Sequence, residues 1–130
     1  MLFVATELRA SPIAGVGVFL LAPVKKGDLI WRFDTRIDRV FSEAELVALP
    51  EPAHSFVKIR APWHKKSGLY VLSGDNARYF NHSDQPTTMS DGDGLADDIA
   101  AADLAVGTEL TTNYHEFYDN KDLLQSMQLK

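Results

Sequence analysis

Cysteine is absent from all 130 residues. That excludes disulfides, cysteine-ligated zinc and a thiol nucleophile. A long apolar run is also missing. The most hydrophobic stretch, residues 16–24, falls well short of the roughly 20 residues that cross a bilayer as a helix. It also lacks the basic start and small-residue cleavage site of a secretory signal. No targeting segment, heptad, internal repeat or low-complexity tract occurs. These absences lead us to expect a cytoplasmic, intracellular protein with no membrane partner. With 45% hydrophobic and 24% charged residues, the composition is that of an ordinary globular chain, and residues 1–130 read as one domain.

The net charge is modest, at −5, but unevenly placed. Residues 1–74 carry ten Lys/Arg against seven Asp/Glu, a net +3; residues 75–130 carry three against eleven, a net −8. No dominant basic face is evident, so direct nucleic-acid binding is not expected. The acidic half is of the sign that steers a basic protein or peptide, although charge alone favours a solvated acidic loop.

What is present is a series of short apolar runs broken by turn residues. Residues 2–8, 18–21, 29–33, 56–60, 69–72, 95–104 and 109–113 read as strands. Pro23 and Lys26-Gly27 mark the turn between two of them. Ser42-Glu43-Ala44-Glu45 is a capping box, and a short helix should run from it to about Leu49, ahead of Pro50. The tail, residues 116–128, reads as loop and short helix. The fold class expected is therefore mainly β with short helices. Gly15-Val16-Gly17 leads into a strand and lacks a third glycine, so it is not a dinucleotide fingerprint. Asp91-Gly92-Asp93-Gly94 lacks the twelfth-position Glu of a calcium loop and reads as a hairpin turn. His54, His64 and His115 have no ligand-like spacing and read as surface residues, so no metal site is expected.

Two constellations carry chemistry. Arg78-Tyr79-Phe80-Asn81-His82-Ser83 sets a polar triplet after two aromatics, and Asn81 offers two donors and an acceptor suited to a zwitterionic ligand. Glu109-Leu110-Thr111-Thr112-Asn113-Tyr114 ends a strand on a tyrosine that is placed to orient a reacting group. Read singly, the first is a capped turn and the second a half-buried core tyrosine.

Read in order, four segments resemble the SET-domain family of protein-lysine methyltransferases, in its minimal, cysteine-free viral and bacterial form. They are residues 11–19 (SPIAGVGVF), residues 24–30 (VKKGDLI), residues 74–83 (GDNARYFNHS) with Pro86, and residues 106–114 (VGTELTTNY). The resemblance spans nearly the whole chain. It implies the SET-domain (β-clip) fold with a C-terminal pseudoknot that brings the Asn81 and Tyr114 segments together. It further implies methyl transfer from S-adenosylmethionine to a lysine, with a basic, histone-like protein as the substrate. The alternatives are a ribosomal or other non-histone substrate, or a SET-fold binding module with little catalysis.

By the same resemblance Tyr114 is the catalytic residue. Gly15, Val16, Gly17, Asn81, His82 and Tyr114 hold the cofactor, Asn81 at its amino-acid portion and His82 mainly through its backbone. Arg78 is a structural or rim residue. Thr112, Phe117 and Tyr118 line the substrate channel. The chain departs from the pattern at Asp84, where the family's zinc-binding Cys follows Asn-His-Ser, at Thr87 in place of Asn, and at Asn113 in place of Asp. Thr112 stands where many members carry a Phe or Tyr that limits methylation, which leaves room for higher methylation. No pre-SET or post-SET zinc module is expected. The channel must then be closed by the tail or by another subunit, as in the homodimer of the viral type.

Overall fold

The computed structural model describes residues 1–90 and 95–116. Their strands are β1 (Thr6–Ala10), β2 (Val16–Leu20), β3 (Leu29–Trp31), β4 (Arg39–Phe41), β5 (Trp63–His64), β6 (Leu69–Leu72), β7 (Asn81–His82), β8 (Thr88–Ser90), β9 (Asp98–Ala100) and β10 (Glu109–Thr112). Two helices, α1 (Glu43–Ala48) and α2 (Ala53–Arg60), lie between β4 and β5. The strands form three small sheets, ordered β1-β2-β10-β7, β3-β9-β8 and β4-β6-β5. Among the described residues no helix is long and apolar enough to cross a membrane.

The local signals act as expected where they are strong. Ser42 accepts from the Glu45 backbone N–H, and the Glu45 carboxylate accepts from the Ser42 N–H, so both halves of the capping box are made. Gly27 and Gly107 take φ of 86° and 84°, left-handed values that suit glycine in the turns before β3 and β10.

The segment 56–60 is a helix, where alternation had suggested a strand. Val57 and Ile59 are β-branched and alternate with Lys58 and Arg60, which imitates a period of two. Burial decides otherwise. Val57 and Ala61, one helical turn apart, enter a core cluster with Leu46 of α1 and Phe41 of β4. Lys58 and Arg60 fall in the last turn, where cations complement the helix dipole. Other expected strands differ in extent: 95–104 contracts to β9, 29–33 to β3 and 109–113 to β10, and the first strand begins at Thr6, with Leu2 making only an isolated bridge to Trp31. The expected hairpin turn at 91–94 and the tail from residue 117 onward lie outside the described residues.

A second core cluster, of Val18, Leu20, Val24, Ile30, Phe80, Ala100 and Leu110, joins the first two sheets. The start of the 74–83 motif is fastened by backbone contacts. Gly74 N–H donates to Asp38 Oδ1 at 3.0 Å. Asp75 caps the 3₁₀ turn Asn76–Tyr79 by accepting from Ala77 N–H. A Cβ on Gly74 would overlap the Ile37 carbonyl, which is backbone and cannot swing aside. Gly74→Ala is therefore expected to lose about 3 kcal/mol of stability, at the upper end of overpacking costs, measured by urea unfolding.

Candidate active site

The first sheet brings the two chemistry-bearing segments side by side. β10 runs antiparallel to β2 on one edge and parallel to β7 on the other, with Thr111 opposite Asn81 and Thr112 opposite His82. This pairing is the juxtaposition that the resemblance implied. Thr87 helps to hold it: its hydroxyl donates to the Glu109 carbonyl at 2.9 Å, and Thr88 Oγ1 donates to the Thr111 carbonyl at 2.9 Å.

Asn81 is only 1% exposed. Its amide nitrogen donates into a set of three acceptors, the carbonyls of Ala14 and Val16 at 3.1 Å each and Glu109 Oε2 at 2.9 Å. The same carboxylate accepts the Ser11 hydroxyl at 2.8 and 3.0 Å from its two oxygens. Asn81 and Glu109 thus tie the glycine turn to the centre of the sheet. Gly17 is needed for this tie, because a Cβ there would overlap the Glu109 carboxylate. Gly15 has φ of 47° and lies on the exposed turn beside Val16. Sequence reasoning gave Glu109 no role. The available signal was a carboxylate as the one charged side chain in the motif Glu109–Tyr114.

Tyr114 opens a 3₁₀ turn, Tyr114–Glu116, directly after β10, and it is buried. Its hydroxyl donates to the Phe80 carbonyl. With its proton committed there, the oxygen can meet any further partner only as an acceptor. Its backbone N–H donates to His82 Nδ1 at 3.1 Å, and the two rings are 5.4 Å apart. Partial desolvation shifts the Glu116 carboxyl pKa upward from its ordinary value.

Ligand atoms of His82, Asp84 and His115 come within 4.8 Å of one another, a cluster that sequence spacing had hidden. It does not suit a metal. His82 Nδ1 accepts from a backbone N–H, which puts the ring proton on Nε2, where it faces Asp84 Oδ1 at 3.0 Å. A metal-bound histidine has the opposite arrangement, donating from its second nitrogen. The cluster reads as a hydrogen-bond relay that fixes the position of Tyr114.

Tyr114 and Thr112 also line a cavity of about 60 Å³, with Trp31, His64, Phe80 and Asp98 among its other walls. On the same measure one water needs roughly 10–15 Å³, so the space suits a slim chain rather than a ring. Trp31 is buried, and its indole N–H has no acceptor among the described residues. His64, expected at the surface, is instead 7% exposed, because pairing of β5 with β6 turns it inward. Its neighbour Trp63 belongs to that same strand. Arg60 and Arg78 complete the partly exposed side of the cavity. Phe117 and Tyr118, the other expected channel residues, lie outside the described residues.

Comparison with known proteins agrees with this geometry. The SET domain family matches residues 15–115. No curated protein sequence gives a match. Among solved structures, a chain of the Chaetomium thermophilum Polycomb Repressive Complex 2, in an autoinhibited conformation bound to S-adenosylmethionine, aligns with 96% of this chain at TM-score 0.66 and 21% identity. An apo form of that complex aligns with 94% at TM-score 0.67 and 20% identity. A candidate histone methyltransferase of Plasmodium falciparum aligns with 84% of this chain and 91% of its own, at TM-score 0.59 and 17% identity. The chain spans only 17% and 16% of the two Polycomb chains.

Proposed function

The chain belongs to the SET-domain family, and from that premise we propose that it is a methyltransferase that moves the methyl group of S-adenosylmethionine to the side-chain amine of a protein lysine. The observation that carries this reading is the placement of a buried tyrosine, its hydroxyl proton held by Phe80, at the wall of a narrow cavity. The cofactor supplies an electrophilic methyl on a sulfonium centre. The protein residues then have to bind, orient and desolvate.

The residues present fit such a cofactor. Gly15 keeps an exposed turn open beside β7, and Asn81 with Glu109 holds that turn in place. Asn81 therefore supports cofactor binding through the loop it fixes. Tyr114 presents oxygen lone pairs that orient the incoming amine. Trp31, Phe80 and the Tyr114 ring surround it with apolar surface, which disfavours the ammonium form and helps the lysine to lose its proton. Alignment of the two reactants is then the main contribution of the fold. The test is transfer of labelled methyl to lysine in mixed proteins, with Tyr114→Phe as the comparison.

Thr112 is buried on the cavity wall and is small for that position. The wild type is expected to reach di- or trimethyl-lysine. Thr112→Phe should shift the product toward monomethyl-lysine, read by mass spectrometry of a peptide substrate. A wild type that stops at one methyl contradicts the roomy wall.

A further inference from the structure

The chain has six arginines. Four of them, Arg9, Arg32, Arg36 and Arg39, are ion-paired with Glu7, Asp97, Asp34 and Glu45. The remaining two, Arg60 and Arg78, are the two that line the cavity, and among the described residues neither has a carboxylate within ion-pair distance. Both are partly buried, where an unpaired guanidinium is least comfortable. Each lies over an aromatic ring, Arg60 at 4.8 Å from the Tyr79 centroid and Arg78 at 5.5 Å from that of Phe56. Stacking occupies the flat face of a guanidinium and holds it in place. The in-plane N–H donors remain, apart from Arg78 Nε, which donates to the Ser73 carbonyl at 3.0 Å. Such pre-positioned forks match a carboxylate.

We propose that Arg60 and Arg78 hold a carboxylate of the substrate, so that the enzyme selects a lysine with an acidic residue close to it in the peptide. This rests on the methyltransferase reading above and names its substrate class. It runs against the basic substrate that the charge imbalance suggested. Of the acidic residues in the second half of the chain, Asp98 alone lines the cavity among those described. The lining therefore carries two guanidinium groups against one carboxylate. The elements around it add positive charge through Lys58 on α2 and the exposed Lys65 and Lys66 between β5 and β6. A phosphate backbone would use the same charges, but these two arginines face a narrow concavity rather than a ridge, which favours a peptide side chain over a polyanion.

The test uses matched peptides in which the residues flanking one lysine are Glu, Gln or Lys, with kcat/KM for methyl transfer as the readout. The Glu-flanked peptide should exceed the Lys-flanked one by roughly ten- to hundredfold, the range of one or two charge-assisted hydrogen bonds. Arg60→Glu should reverse that order, and Arg60→Gln should flatten it, which keeps the test usable if one variant does not fold. Transfer to all three peptides at equal rates overturns this inference while leaving the methyltransferase reading intact. Retention on immobilised DNA that Arg60→Glu abolishes, with no peptide preference, assigns the arginines to a polyanion and also overturns it. No transfer to any lysine, with cofactor bound, overturns the methyltransferase reading and this inference with it.

Discussion

Replacing Tyr114 by Phe should lower methyl transfer by about two to three orders of magnitude, the range seen when one pre-positioned polar group is removed from a reaction centre. The ring remains, so cavity packing and the contact with His82 are retained. What is lost is the oxygen that orients the amine, together with the donor that serves the Phe80 carbonyl. The latter is buried, so stability should also fall, by about 1–3 kcal/mol. Cofactor affinity should change by no more than about threefold, because the hydroxyl acts where the methyl is transferred. Stopped-flow or single-turnover transfer, combined with calorimetric cofactor binding, separates the two quantities. Equal losses in both would mean that Tyr114 only shapes the cofactor site.

Asn81→Ala should act in the opposite proportion, weakening cofactor binding by at least about tenfold. The amide is the junction of the tether: without it the Ala14 and Val16 carbonyls and the Glu109 carboxylate all lose a donor within the fold. The glycine turn is then free to move away from β7. Leaving buried acceptors unsatisfied and opening a small cavity should cost about 2–4 kcal/mol of stability. Asn81→Asp, the same shape, should be worse than Ala near neutral pH. It replaces a donor with a second carboxylate facing Glu109 and two carbonyls, and like charges at that distance disfavour each other. Urea unfolding and cofactor calorimetry on both variants check this. Unchanged cofactor affinity in a folded Asn81→Ala variant removes the residue from the cofactor site.

Much of the frame was legible because it is local. The capping box at Ser42 and Glu45, the glycine turns and the strand at 69–72 each follow from residues within a few positions of one another. The helix at 53–60 was not, because its choice over a strand depends on Leu46 and Phe41, which lie outside the segment. The same holds for His64, buried only through pairing with β6. The site divides along this line. Asn81, His82 and Tyr114 stood out through motif order, yet the tether that gives Asn81 its work joins it to Ala14 across 67 positions, and Ser11 to Glu109 across 98. No periodicity reports such contacts. Gly17 illustrates the cost: its missing side chain is occupied by a residue from the far end of the chain.

The most direct test is transfer of labelled methyl from S-adenosylmethionine to protein substrates, followed by mapping of the labelled residue, for the wild type and Tyr114→Phe in parallel. Label on a lysine side chain that nearly disappears in the variant, while the variant still binds cofactor, is the predicted result. Cofactor binding with no transfer by the wild type, or label on a residue other than lysine, would contradict it.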